Sequence, residues 1–213
     1  MHGDAKASIV GNIKLPLNKS HFTMAAEERQ KFWAVMPFGR PFKGVNYMKY
    51  VLPSDEKIAA LVPEYSERGD STRIYLTDGS EELLACTMRT ALTRIASRRC
   101  KSLRLMREKA RRYTQRKLNN PIASSHSLVL TPIKMRRPRV RGDMAMGHVN
   151  VAAVTSTAGT RQGTAIELAG GKVLRTSWGA GTVLRHIAEA EHIRMEMVHD
   201  LAESFFQEFH IDG

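Results

Sequence analysis

Between residues 89 and 141 the chain carries 17 lysines and arginines and a single acid, Glu108. The net charge of that segment is +16, more than the +12 of all 213 residues. Residues 1–88 hold 11 basic and 11 acidic side chains, and residues 142–213 hold 5 and 9. No fold can bury such a segment whole. Its cations must spread over a surface, its apolar residues must form narrow stripes, and something outside it must relieve its self-repulsion. A polyanion does so and releases its own counterions on binding. Nucleic acid is the leading partner on this argument. An anionic membrane surface comes second, and an RNA-rich particle such as the ribosome is a variant of the first.

Elsewhere the composition is ordinary. Hydrophobic residues at 42% and charged residues at 25% match soluble globular proteins, and the length suits one large domain or two small ones. No stretch approaches the roughly 20 apolar residues that cross a bilayer, and the first ten residues lack the apolar region of a secretory signal. Two cysteines, Cys86 and Cys100, are too few for a disulfide framework or an all-cysteine zinc site. The expectation is a cytoplasmic protein with no cofactor and no membrane partner.

Hydrophobic periodicity then orders the chain. Residues 1–44 read as an appendage with one short helix from Thr23, closed by the Pro- and Gly-rich stretch 37–44. Residues 45–213 read as one domain. Val45 to Leu52 is apolar and aromatic and reads as a strand. Ile58-Ala59-Ala60-Leu61-Val62 is a buried strand that Pro63 should stop, and 64–71 is a polar turn. Residues 72–77 alternate, with Ile74 and Leu76 on one face. Asp78 and Glu81 have the spacing of a capping box, which predicts a helix whose core stripe is Leu84, Met88, Ala91, Leu92 and Ile95. A second helix follows Ser102, narrow in its apolar stripe and ringed by arginines, and ends at Asn119-Asn120-Pro121. Strands at 127–133, 148–154, 164–168 and 172–178 come next, the last two joined at Ala169-Gly170-Gly171. A long helix over about 180–209 closes the chain, with Ile187, Ala190, Met197, Leu201 and Phe205 as its core face. Strands, a helix pair, strands and a helix predict an α+β fold: an antiparallel sheet with a basic helical pair and a long C-terminal helix.

Three features bear on chemistry. The helix pair resembles a helix-turn-helix. Base reading would need Asn, Gln, Ser or Thr near the start of the second helix, and Thr114 and Gln115 lie near its end. Its arginines suit phosphate contact instead. The loop Arg136-Arg137-Pro138-Arg139-Val140-Arg141-Gly142 is sharper. Pro138 favours extended chain, which points Arg139 and Arg141 the same way about 6–7 Å apart. Slender arginines of that kind suit the narrow, negative minor groove of A·T-rich DNA; a solvated basic loop is the plain alternative. The last helix repeats Glu-x-x-His (Glu189/His192 and Glu196/His199), part of a two-metal carboxylate pattern whose other helices are missing, so a solvated face is the reading. Phosphate-loop, dinucleotide-binding, serine-hydrolase and zinc-protease motifs are all missing. A nuclease or recombinase would need clustered carboxylates beside the basic segment, which offers one acid. Single-stranded RNA binding would need exposed aromatics, and the segment has only Tyr113.

The order of these pieces is similar to a known family. Ile58-Ala59-Ala60-Leu61-Val62-Pro63-Glu64, the basic run 107–117 with Tyr113-Thr114 and Lys117, Pro121-Ile122 followed by Leu128-Val129-Leu130-Thr131-Pro132, Gly147-His148-Val149-Asn150-Val151 and Gly171-Lys172-Val173 fall in sequence. The stretch 50–178 resembles the ComK family of competence transcription factors. The resemblance implies a bacterial transcriptional activator. It would bind A·T-rich double-stranded promoter boxes through the minor groove, act as a homo-oligomer on DNA, and contact RNA polymerase. Arg139 and Arg141 rank first as minor-groove residues. Arg136, Arg137, Arg104, Arg107, Arg111, Arg112, Arg116 and Lys117 are expected at phosphates. An RNA-binding or ribosome-associated basic protein is the alternative, and no catalytic activity is expected.

Overall fold

Strand β1 (Ile58–Ser66) runs through the proline that should have stopped it. Its partner β2 (Gly69–Leu76) pairs with it antiparallel from Ile58 to Ser66, Pro63 lying opposite Thr72. On its other edge β1 meets β6 (Met146–Asn150) only at Ala60 and Leu61. By Pro63 no described strand pairs with that edge, so the missing N–H breaks no ladder bond among the described residues. The described residues of this computed structural model are 52–67, 69–139 and 143–209, all within the second of the chain's two units, Lys49–Gly213. The predicted appendage, its helix, the boundary at 44/45 and nearly all of the strand expected over 45–52 lie outside them.

The capping-box reading of Asp78 is corrected. Asp78 Oδ1 accepts from the backbone N–H of Ser80 at 2.8 Å and from its hydroxyl at 2.6 Å. This closes a tight turn in which Gly79 takes φ +86°. The chain folds back as β3 (Glu81–Leu84) on β2. Asp supports a turn and a helix start by the same side-chain bond, so local chemistry does not separate them. Helix α1 (Met88–Arg98) is capped nine residues later by Thr87, whose hydroxyl accepts from Thr90 N–H. Met88, Ala91, Leu92, Ile95 and Ala96 form its buried stripe. Cys100, at φ +53°, turns the chain into α2 (Leu103–Thr114). Helix α2 buries only Met106 and Ala110 and ends at Gln115 in the left-handed region, short of the predicted Asn119.

Strands β4 (Ile122–Ser125) and β5 (Leu128–Lys134) complete a six-stranded antiparallel sheet of order β3-β2-β1-β6-β5-β4. A 3-10 turn at Val151–Ala153 interrupts the strand predicted over 148–154. The chain then forms a three-stranded sheet, β7 (Val154–Thr160), β8 (Gly163–Leu168) and β9 (Val173–Thr176). Helix α3 (Ala180–Phe209) follows. The alternation of β1 and β2 splits the core in two. Ile58, Leu61, Ile74 and Leu76 face α1 and α2. Ala60, Ile133 and Val149 face the small sheet and Val183 of α3. The fold is α+β, as expected, with the basic helix pair on one face and the long helix on the other. The predicted core face of α3 holds at its first half only: Ala190 is buried, whereas Leu201 and Phe205 are each 58% exposed. No described helix is long and apolar enough to cross a membrane.

Candidate nucleic-acid interface

Asp55 decides which arginines are free. Its buried carboxylate pairs with Arg98 and with Arg99 at 2.9 Å and accepts the Ser125 hydroxyl at 2.9 Å. Burial pushes the Asp55 carboxyl up; the hydroxyl and the two guanidinium groups more than reverse this and hold it below its ordinary value. Arg116 pairs with Glu189 of α3 and donates to His186 Nε2 at 2.8 Å. Arg136 pairs with Asp70 at 2.8 Å. Three acids from outside the cationic segment thus take four of its arginines.

The cations of α2 have no such partners. With a stripe as narrow as Met106 and Ala110 to bury, the helix leaves most of its girdle in water. Arg104, Arg107 and Arg111, spaced i, i+3 and i+7, share one face. Lys117 continues the row in the α2–β4 connection. None of the four has an acid within ion-pair distance among the described residues. Burial, with the Arg89 charge beside it, lowers the Arg107 pKa from its ordinary value. Arg112 is exposed and does not line the groove that this row borders.

That groove has a volume of about 560 Å³. Arg104, Arg107, Arg111 and Lys117 rim it, with Glu108 as the one acid. Pro132, Met144, Met146 and His148 lie across from them. Beside it β4 pairs with β5 only as far as Leu130, opposite Ile122, and among the described residues no strand pairs with that edge of β5 beyond this point. His148 on β6 is 4% exposed, and its Nδ1 has no hydrogen-bond partner. Burial, then the Arg107 charge, pushes its pKa down to about 3, so the ring is neutral at pH 7.

The second predicted group starts at the same groove. Arg136 Nε donates to the carbonyl of Met144 at 2.8 Å, and Met144 lines the groove. Tyr65 of β1 organises the loop. Arg136 and Arg139 both lie over its ring, with guanidinium carbons 3.8 and 4.1 Å from the centroid. Its hydroxyl donates to Asp143, and the backbone N–H of Arg139 reaches both the Tyr65 hydroxyl at 3.1 Å and Asp143 at 3.0 Å. Arg137 is exposed. Arg141 lies outside the described residues. The structure therefore gathers Arg104, Arg107, Arg111 and Lys117 into one row and joins the Arg136 loop to its far wall. It ties Arg116 and Arg136 into ion pairs.

No family model, curated protein or solved structure matches this chain. Its function has to be read from its own residues. Tyr65 and His148 escaped the sequence reading as site residues. Tyr65 sits more than 70 residues from the arginines that it carries, and no local pattern links the two. His148 was noticed within its strand, but strand pattern does not say that a groove opens beside it. The Glu-x-x-His repeat is dispersed: Glu189 holds Arg116, His192 meets Tyr113 edge-on, and His199 pairs with Glu203 at 3.1 Å. Among the described residues no group of His, Cys, Asp or Glu is placed to hold a metal ion.

Proposed function

We propose that the protein is a DNA-binding transcriptional regulator of the competence-activator type. It takes A·T-rich duplex, places the α2 row on phosphates and reads the minor groove with the loop of Arg139 and Arg141. The observation that carries this reading is the row Arg104, Arg107, Arg111 and Lys117, cationic, exposed to the groove and without acidic partners among the described residues. A fold that neutralises other arginines of the segment and leaves this row unpaired presents a surface for phosphate. The Tyr65 platform supports the second half. Stacking on a ring and fixing the backbone N–H of Arg139 orders the stem of the loop before binding, which reduces the entropy lost when the arginines enter a groove. The resemblance of 50–178 to ComK-type activators points to the same partner, and to oligomers on promoters that recruit RNA polymerase.

Binding to A·T-rich duplex, G·C-rich duplex and single-stranded RNA of equal length tests the reading. The A·T duplex is expected to bind tightest. Arg139→Ala and Arg141→Ala are expected to weaken it by about 1–3 kcal/mol and to narrow the gap to G·C duplex. Single-stranded RNA binding tighter than either duplex would replace DNA with RNA as the partner. A·T preference that survives both changes and vanishes in Arg107→Ala would move the reading of sequence to α2.

A further inference from the structure

A nucleic-acid backbone passing over the α2 row accounts for the arginines and leaves the concavity below them unexplained. Besides the cations and the amides of Asn119 and Asn120, the lining of that concavity, here called its floor, holds the apolar surfaces of Pro132, Met144 and Met146 and the ring of His148. A buried ring nitrogen without a partner, as His148 Nδ1 is, costs stability, and a native fold keeps such a group where something else completes it. At neutral pH the ring carries no charge, so its unpartnered Nδ1 is a neutral donor or acceptor according to the tautomer. The rim asks for an anion and the floor for an uncharged polar group set in apolar surface. The volume, about 560 Å³, falls within the range of small-molecule sites. Phosphate of a passing duplex meets the first demand only.

We propose that the groove between α2 and the open end of β5 and β6 binds a free phosphate ester of nucleotide size, its phosphate on Arg104, Arg107 and Arg111 and its uncharged part on Pro132, Met146 and His148. This goes beyond DNA binding and stands without it. Because the phosphate occupies the row offered to a polyanion, the two ligands exclude one another, and the small one becomes a regulator of the large one.

The experiment uses the full chain labelled with 15N at histidine, titrated with inorganic phosphate, a nucleoside, the corresponding nucleoside monophosphate and an A·T-rich duplex. Calorimetry reads affinity and the His148 ring-nitrogen resonances read occupancy of the floor. The monophosphate is expected to bind at least tenfold tighter than phosphate or nucleoside alone and to shift the His148 resonances. Arg107→Ala should lose at least tenfold for inorganic phosphate and for the monophosphate. His148→Gln should keep phosphate affinity and lose the tenfold advantage of the monophosphate. A monophosphate that binds no tighter than phosphate, or a His148 signal unmoved at saturation, overturns the proposal. A signal that moves with duplex and not with monophosphate assigns the groove to nucleic-acid backbone and overturns it too. The DNA reading fails separately, on absence of duplex binding by calorimetry.

Discussion

Two histidines illustrate how far a single side chain reaches. His186 sits against Trp178, ring centroids 4.9 Å apart, and accepts a hydrogen bond from Arg116. Burial first, then the Arg116 charge, pushes its pKa down to about 4, with Glu189 acting the other way and Arg185 adding to the fall. His148, buried beside Arg107, titrates at about 3. Both are neutral when folded, whereas the unfolded chain takes up protons near pH 6.5. The stability due to their neutrality is complete above that pH and drains away as pH falls toward 4 and then 3. Each ring adds about 1.4 kcal/mol per pH unit to the slope in that window. Urea unfolding followed from pH 7 to pH 4.5 should show the loss, and His148→Gln should make it shallower by about that amount. An equal slope in the two proteins would place a charged His148 in the fold.

At the scale of the element, periodicity found faces and missed what covers them. Helix α1 carries the expected stripe from Met88 onward, Leu84 having gone to β3, α3 holds its stripe over its first half, and the β8–β9 hairpin turns at Gly170 and Gly171, both at positive φ. Strand β3 was lost to a helix because Asp78 closes a turn with the bond that would cap one. Strand β4, four residues with two serines, is held by pairing to β5 rather than by any pattern of its own. In α3 the stripe continues from Ala190 to Leu201 and Phe205, yet the core ends part-way along. The apolar spacing states which side seeks cover, and only the tertiary fold states where cover is found. Val183, fully buried against Ile166 and Val149, should cost about 1–2 kcal/mol on change to Ala. Leu201→Ser should fall within about 0.5 kcal/mol of the parent. Thermal or urea midpoints of the two variants check the contrast. A large loss at Leu201 would mean that this face is covered.

The whole molecule manages its charge by sorting it. The basic row was legible from the sequence because 17 cations against one acid admit few arrangements. Which cations stay free was not, since Asp55, Asp70 and Glu189 come from three distant stretches and meet their arginines only in the fold. This sorting predicts two kinds of variant. Arg104→Ala, Arg107→Ala and Arg111→Ala should leave stability nearly unchanged and each lower the slope of log affinity for duplex against log salt by about one. Arg98→Ala, which leaves the buried Asp55 carboxylate with Arg99 and the Ser125 hydroxyl only, should lower stability by about 1–3 kcal/mol and leave the slope alone. Salt titrations beside unfolding curves separate them. A slope unmoved by Arg107→Ala would remove α2 from the interface.

Pro132 gives the groove a property that its arginines do not. Where β4 stops, no described strand pairs with the last residues of β5 on that edge, and sheet margins of that kind recruit any extended peptide that can zip onto them. A proline in that stretch offers no N–H to the newcomer, so the zipper cannot run along it. The opening beside α2 is in this way closed to strands and left open to molecules that need no backbone partner.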